Sequence, residues 1–157
     1  EVFVTDKQPH RLAMARRLGA DLAIDVDKDD PVATVKGLTD GLGADVVFEA
    51  VGFAPTVQQA LALTRTGGDV TWIGNSAPMI ELNMQEIVTR ELTVRGTYGF
   101  NVEFAAAIEL LAAGRMDVTP LIERIAPLAE GPAIIEALAR GELDLIKVIL
   151  EPEGSTA

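Results

Sequence analysis

The stretch EVFVTD ends in Asp6, whose type and position fit ligand chemistry. Val2–Val4 is a short apolar run typical of a β-strand. A carboxylate at the end of such a strand can accept hydrogen bonds from both hydroxyls of a ribose, each contributing about 1.5–3 kcal/mol. Its charge repels a 2′-phosphate and so favours NAD over NADP, whereas neighbouring Lys7 keeps NADP open. From spacing alone, an aspartate that only caps the next helix explains Asp6 equally well.

Three other predicted strand ends consist mainly of small, polar or glycine residues, which let a flat ligand approach the backbone closely. Ligands of doubly wound α/β folds bind at the carboxyl ends of parallel strands, so these segments are candidate binding residues. They are Glu49-Ala50-Val51-Gly52, Ile73-Gly74-Asn75 and Thr97-Tyr98-Gly99. Arg11, in the first turn of the helix after Asp6, is expected either to cover an adenine ring or to be solvated.

The glycine-rich turn that usually holds the phosphates of a dinucleotide has no match in the sequence. The nearest candidate, Gly41-Leu42-Gly43, has Val46 where the third glycine of G-x-G-x-x-G should stand. It also follows a predicted helix and precedes a strand, which reverses the order that the turn requires. The sequence therefore predicts a ribose-binding carboxylate without its phosphate cradle.

Composition narrows the class of protein. With 157 residues, 48% of them hydrophobic, the chain can build one domain-sized core. Its net charge of −11 argues against nucleic acid and anionic membranes as partners. The chain has no cysteine and one histidine, which excludes disulfides, cysteine zinc ligands and a multi-histidine metal site within one copy. No leader and no apolar run of about 20 residues is visible, so a cytoplasmic location is expected.

Short apolar strands alternate with helical segments along the chain, which predicts βαβ units in a mostly parallel sheet. The strand segments are apolar without alternation, as expected when both faces of a sheet are covered. Asp30 is a predicted N-cap. The predicted helices start at Pro9, Pro31, Pro55, Met84, Asn101, Thr119 and Gly131, with LIKVIL as a final strand. Residues Thr119–Arg124 are expected to form a helix and Ile80–Asn83 a short extended piece.

Six segments together carry a family resemblance: VFVTDKQPHRLAMARRLGAD, GADVVFEAVG, LTRTGGDVTWIG, ELTVRGTYGF, GRMDVTPLI and GELDLIKVIL. In this order and spacing, over nearly all of residues 1–152, the chain resembles the C-terminal part of zinc-dependent medium-chain alcohol and polyol dehydrogenases. The similar group comprises sorbitol, galactitol-phosphate and butanediol dehydrogenases. The resemblance implies an α/β fold with an incomplete Rossmann-type, doubly wound, mostly parallel sheet. It also implies an enzyme that passes a hydride between a secondary alcohol and NAD, with NADP less favoured.

The resemblance also implies roles for individual residues. Asp6 matches the family's ribose-binding acid, and Arg11 matches a basic partner near the adenosine. Lys147 falls where the family often has a basic residue that reaches the pyrophosphate, as suits a point charge against phosphate. The strand end beside the cofactor is matched by Ala50, Val51 and Gly52. Two backbone stretches that meet the nicotinamide ring are matched by Ile73, Gly74 and Asn75 and by Thr97, Tyr98 and Gly99.

Under the same resemblance the chain divides into three parts. Residues 1–100 form a truncated dinucleotide-binding domain, residues 101–152 form helices and a strand that belong to the catalytic domain in the full-length family, and 153–157 form a tail. The family's N-terminal zinc-binding catalytic domain and the first strand and glycine-rich turn of its cofactor domain have no counterpart. We therefore expect no catalytic residue, no metal ligand and no dehydrogenase activity in this chain alone. Met79–Asn83 resembles the edge strand through which family dimers join, which implies a homo-oligomer.

Three other interpretations stay open. The first is a non-catalytic remnant that dimerises by exchanging strands, and the second is an NAD-binding module; titration with NAD and ADP-ribose separates these. A methyltransferase-type α/β domain also ends its second strand in an acidic residue. However, ELTVRGTYGF and GELDLIKVIL have no place in that fold.

Overall fold

Strands and helices alternate along the computed structural model of the chain, which describes residues 1–100 and 102–152. Seven strands are found within these ranges: β1 (Phe3–Asp6), β2 (Leu22–Asp25), β3 (Ala44–Glu49), β4 (Thr64–Trp72), β5 (Thr93–Gly96), β6 (Ile122–Pro127) and β7 (Lys147–Glu151). The α-helices there are α1 (Pro9–Arg17), α2 (Pro31–Leu38), α3 (Ala54–Leu63), α4 (Met84–Thr89), α5 (Glu103–Ala112) and α6 (Gly131–Ala139). Short 3₁₀ turns occupy Thr119–Leu121 and Leu128–Glu130.

The strands pair in parallel and form three small sheets, ordered β1-β2, β3-β4-β5 and β6-β7. The chain forms two compact units. The first unit combines Glu1–Asp25 with the described part of 101–157, and the second unit is Val26–Phe100. The parallel α/β fold class expected from the sequence is confirmed. Every strand pair among the described residues is parallel, and the helices alternate with the strands along the chain.

The core of the second unit lies between α3 and one face of the β3-β4-β5 sheet. Ala60 and Leu61 of α3 are buried with Val70 of β4 and with Leu92. Val47, Val70 and Val94 are in register across the three strands, so their side chains share the covered face. The remaining half-buried side chains that pack there are those of Trp72, Leu82 and Ile87. The opposite face is open: Phe48 is 68% exposed.

Arg90 joins the end of α3 to the start of β4. Its Nη1 donates to the Leu61 carbonyl at 2.9 Å, and its Nη2 donates to the Thr64 carbonyl. Its own carbonyl accepts from the Gly67 amide at 2.8 Å. A guanidinium at the C-terminal end of a helix satisfies carbonyls that have no partner in the helix and opposes the negative end of the helix dipole.

The helix termini follow the local sequence. The Asp30 carboxylate accepts from the Val32 amide at 2.9 Å, which confirms it as the N-cap of α2. Pro31 then occupies the first helical position, where its missing N–H is harmless. Gly114 follows α5 with a φ of 64°, a left-handed conformation that favours glycine. The predicted helix start at Asn101 and the predicted tail at 153–157 lie outside the described residues.

One local prediction differs from the structure. Thr119–Arg124 is not a helix: a 3₁₀ turn leads into β6, because Ile122–Pro127 pairs with β7 in parallel. Met79–Asn83 pairs with no strand of the described chain, and its pairing with a second copy stays a prediction. The Glu81 carbonyl there accepts a bond of 3.2 Å from Gln58 of α3. The division at residue 100 into a cofactor part and a catalytic part stays a prediction. The two compact units show which segments lie close together, and this does not assign a role to either unit.

Candidate functional site

Asp6 lies at the carboxyl end of β1, as predicted. Its Oδ1 accepts a hydrogen bond of 2.8 Å from the Gln8 amide, so Asp6 fixes the turn into α1. Its Oδ2 lies 3.8 Å from Arg11 Nη1, beyond hydrogen-bond distance. The side chain is 27% exposed. One carboxylate oxygen therefore serves the fold, and the other faces a cation and solvent, where a hydroxyl can approach.

Arg11 lies beside Asp6 in the structure, whereas Lys147 is the first residue of β7. The Arg11 side chain is 56% exposed and approaches the Asp6 carboxylate from the first turns of α1. Lys147 is exposed and begins β7, where it stands opposite Ile122 in the register. His10, the single histidine of the chain, has a side chain that is 22% exposed, and its Nδ1 lies 3.8 Å from Asp144 Oδ1.

Glu49 organises the strand ends in the second unit. It is 4% exposed, and its Oε1 accepts hydrogen bonds from the Val51 amide at 2.9 Å and the Gly52 amide at 2.8 Å. Its backbone carbonyl accepts from the amides of Ile73 at 2.7 Å and Gly74 at 3.0 Å. One residue thus holds two of the predicted cofactor-facing segments.

The same two segments touch backbone to backbone at Gly52 and Gly74. A Cβ placed on Gly74 would lie 2.5 Å from the Val51 nitrogen and still closer to the Gly52 nitrogen. A Cβ on Gly52 would lie 2.5 Å from the Ser76 nitrogen, and Gly52 has a φ of 83°. Two further bonds tie the segments: Ser76 Oγ donates to the Val51 carbonyl at 2.7 Å, and the Ala77 amide donates to the Gly52 carbonyl at 2.9 Å. Only glycine fits at either position.

A concave site of about 410 Å³ lies at the carboxyl ends of β4 and β5. Its lining combines predicted residues with an aromatic residue that the sequence did not single out, Trp72; the lining residues are Trp72, Ile73, Gly74, Asn75, Gly96, Thr97 and Tyr98. The Thr97 amide donates to the Trp72 carbonyl at 3.0 Å, which fixes the two walls relative to each other. Tyr98 is 90% exposed, so its ring is available to a ligand. Gly99 lies next to this lining in sequence, and Ala50 is exposed at the end of β3.

Trp72 and Gly96 line the cavity but were not among the predicted site residues, and Glu49 was predicted only as part of a strand end, with no role of its own. A signal for Glu49 was present, because a glutamate interrupts the apolar run VVFEAVG three positions before a glycine. Its burial was not predictable from the sequence, because that burial depends on pairing with β4. Trp72 gave no local signal beyond its place at a strand end.

The resolved pKa shifts fall outside this site. Asp45, at the start of β3, accepts a hydrogen bond of 2.6 Å from Arg65 Nε, and this bond with the Arg65 charge holds its pKa below the usual 3.8. In the first unit, hydrogen bonds from the Thr119 hydroxyl and amide lower the pKa of Asp117. Both carboxylates are therefore charged structural groups at neutral pH.

Neither a metal cluster nor a membrane span occurs in the described ranges. Across residues 1–100 and 102–152, no three His, Cys, Asp or Glu side chains are grouped so that they could hold a metal ion. No helix described there has the length and apolar character needed to cross a bilayer.

Residues 1–113 match the family model for zinc-binding dehydrogenase. D-arabitol-phosphate dehydrogenase of Enterococcus avium is 35% identical over 92% of this chain and 41% of its own length. An alcohol dehydrogenase from Thermus sp. ATN1 superposes with a TM-score of 0.86 at 32% identity, over 98% of this chain and 45% of its own. A zinc-binding dehydrogenase from Sinorhizobium meliloti solved bound to NADP gives 0.79 at 26% identity, over 96% and 44%.

This chain thus spans less than half the length of the relatives it matches. Among them are an alcohol dehydrogenase and a polyol-phosphate dehydrogenase, and the matched residues 1–113 include the strand ends described above. The predicted family and the incomplete Rossmann-type fold are confirmed. The chain belongs to the zinc-binding dehydrogenase family.

Proposed function

We propose that these 157 residues are the cofactor-binding part of an NAD-dependent alcohol or polyol dehydrogenase. Bound NAD supplies the hydride acceptor, and the chain supplies binding and orientation. In the first unit, Asp6 accepts hydrogen bonds from the adenosine ribose, with Arg11 beside the adenine. In the second unit, the Val51–Gly52, Ile73–Asn75 and Thr97–Gly99 segments meet the nicotinamide side through their backbone.

The observation that carries this proposal is that the two carboxylate oxygens of Asp6 have different surroundings. Its Oδ1 is engaged by the Gln8 amide, which holds the carboxyl group in place, while Oδ2 has only Arg11 nearby, at 3.8 Å. An oriented carboxylate at the end of a parallel strand is what recognition of a ribose diol requires. A 2′-phosphate would place two negative groups together, so we propose NAD as the preferred cofactor.

The family's zinc does not fit the described residues, because they contain no cluster that could hold it. We therefore propose that the ligands of the zinc and the residues that contact the alcohol belong to sequence other than these 157 residues. By themselves these residues should form no reduced nicotinamide from NAD and an alcohol. Alcohol-dependent formation of reduced nicotinamide by the pure chain would overturn this part of the proposal.

The test of cofactor binding is Asp6→Asn. The asparagine Oδ1 can still accept from Gln8, so the turn into α1 is kept while the charge is removed. Calorimetric titration should show NAD binding by the wild type, weakened about tenfold in the variant, since losing a charge-assisted bond removes about 1.5 kcal/mol or more. The preference over NADP should shrink as well. Equal NAD affinity in both proteins would refute the assignment of Asp6.

We further propose that a second copy of the chain binds at Met79–Asn83. Met79 is 87% exposed there, and no strand of the described chain pairs with this segment. Pairing with the same segment of a second copy across a twofold axis would satisfy its backbone groups. Sedimentation should give a dimer for the wild type and a monomer for Ile80→Pro, whose proline cannot donate to a ladder.

The expected cytoplasmic location stays a prediction.

The strand-exchanging remnant is the second candidate, favoured by the free edge of β3. Within the described residues β3 pairs with β4 alone, so its other edge can accept a strand from a second copy. The remnant predicts a dimer that binds neither NAD nor ADP-ribose, whereas the first candidate predicts binding of both.

A further inference from the structure

We propose that Glu49 is a positioning residue that holds the nicotinamide-side backbone of the site in its binding conformation. This inference rests on the proposed function, because it adds a role within the same site. Glu49 does not line the cavity, but it is hydrogen-bonded to the segments that we expect to meet the ligand. It acts through the residues that it holds.

The hydrogen bonds of Glu49 reach both segments at once. The side-chain Oε1 takes the amides of Val51 and Gly52, at 2.9 and 2.8 Å. The backbone carbonyl takes the amides of Ile73 and Gly74, at 2.7 and 3.0 Å. Hydrogen bonds from two consecutive amides to one buried side-chain oxygen fix the direction of that backbone, and with it the direction of the carbonyls that follow. The conformation that a ligand must find is thereby formed before the ligand binds.

The burial of Glu49 indicates that its hydrogen bonds do more than stabilise the fold. Glu49 is 4% exposed in a strand whose neighbours on the covered face are apolar. Its Oε2 is buried and has no hydrogen-bond partner in the described part of the chain. Burying a carboxylate with one oxygen unpaired is unfavourable, and an apolar residue would suit the core better. Such groups call for a reason in each native structure, and orientation of the site provides one here.

Two substitutions separate the length of the Glu49 side chain from its charge. In Glu49→Gln the side chain has the same length and keeps an oxygen for the two amides, but it has no charge. In Glu49→Asp the charge is kept, but the carboxylate is withdrawn by about 1.5 Å, one bond length, and cannot reach both amides. Asp69→Asn is the matched control, because Asp69 is a carboxylate on β4 that bonds the Arg95 side chain.

The experiment measures amide hydrogen exchange and calorimetric binding of NAD and ADP-ribose for the four proteins. We expect Glu49→Asp to lose exchange protection at Val51 and Gly52. It should raise the Kd for NAD about tenfold and leave that for ADP-ribose within about twofold. Glu49→Gln and the control should match the wild type in all three readouts, within about twofold.

Two results would overturn the proposal. Equal weakening of NAD and ADP-ribose by Glu49→Asp would mean a general loss of structure, and a Gln variant that behaves like the Asp variant would mean that charge decides. If the wild type binds neither ligand, the proposed function fails and the cofactor role of Glu49 fails with it. The exchange data alone then report whether Glu49 holds the two strand ends.

Discussion

Replacing Gly74 by alanine should destabilise the second unit severely, whereas the same change at Gly96 should not. Both glycines line the cavity at the ends of β4 and β5. A Cβ on Gly74 would lie 2.5 Å from the Val51 nitrogen and closer to the Gly52 nitrogen, whereas one on Gly96 would meet no atom within 4 Å. Neither glycine has a left-handed φ, so the pair isolates the effect of crowding.

The expected magnitude follows from the atoms that are crowded. Overpacking typically costs about 1–3 kcal/mol, and the upper end applies here because backbone atoms cannot escape by changing rotamer. Gly96→Ala should stay within about 0.5 kcal/mol of the wild type. Gly52→Ala should exceed Gly74→Ala by about 1–2 kcal/mol, because its left-handed backbone adds a penalty of its own.

Urea unfolding followed by tryptophan fluorescence measures these differences. Trp72 is the single tryptophan of the chain and packs against the core of the second unit, so its signal reports that unit. With a slope of about 1–3 kcal/mol per molar urea, a loss of 3 kcal/mol lowers the midpoint by about 1 M or more. A Gly74→Ala protein as stable as Gly96→Ala would refute the close contact of the two strand ends.

Three further predictions concern the second unit. Arg90→Ala should lower its free energy of unfolding by about 2–3 kcal/mol in urea titrations, since two bonds from a partly buried guanidinium are lost, and Arg90→Lys should recover only part. The pKa of Asp45 is lowered by Arg65, so this pair contributes stability above the usual pKa of 3.8 that is lost as the pH falls through the folded-state pKa. Asp45→Asn should therefore flatten the acid limb of a stability-against-pH curve, and an unchanged curve would contradict the pairing. Asp30→Ala should cost about 1 kcal/mol through loss of the N-cap, while Asp30→Ser should cost only a fraction of that.

Local chemistry determined much of the fold before any tertiary contact was known. Asp30 followed by Pro31 specified a helix start because the cap and the proline act within one turn. The alternation of short apolar runs with helical segments indicated parallel strands, since parallel strands need a crossover connection and a helix usually supplies it. The apolar run before Asp6 likewise located this residue at a strand end. Spacing alone had left two interpretations of Asp6 equal, a helix cap and a ribose-binding acid. In the structure one carboxylate oxygen accepts from the Gln8 amide, and the other lies near Arg11.

The tertiary structure decided what depends on segments far apart in the chain. Ile122–Pro127 became a strand because β7, more than 20 residues later, offers a ladder that outweighs the local helix preference. Glu49 is buried, and Gly52 touches Gly74, only because β3 and β4 lie side by side. The sequence by itself therefore determined the family, the type of element and the ribose-binding candidate. Which backbone groups meet at the strand ends, and which carboxylate holds them, was decided by pairing energies that no local pattern contains.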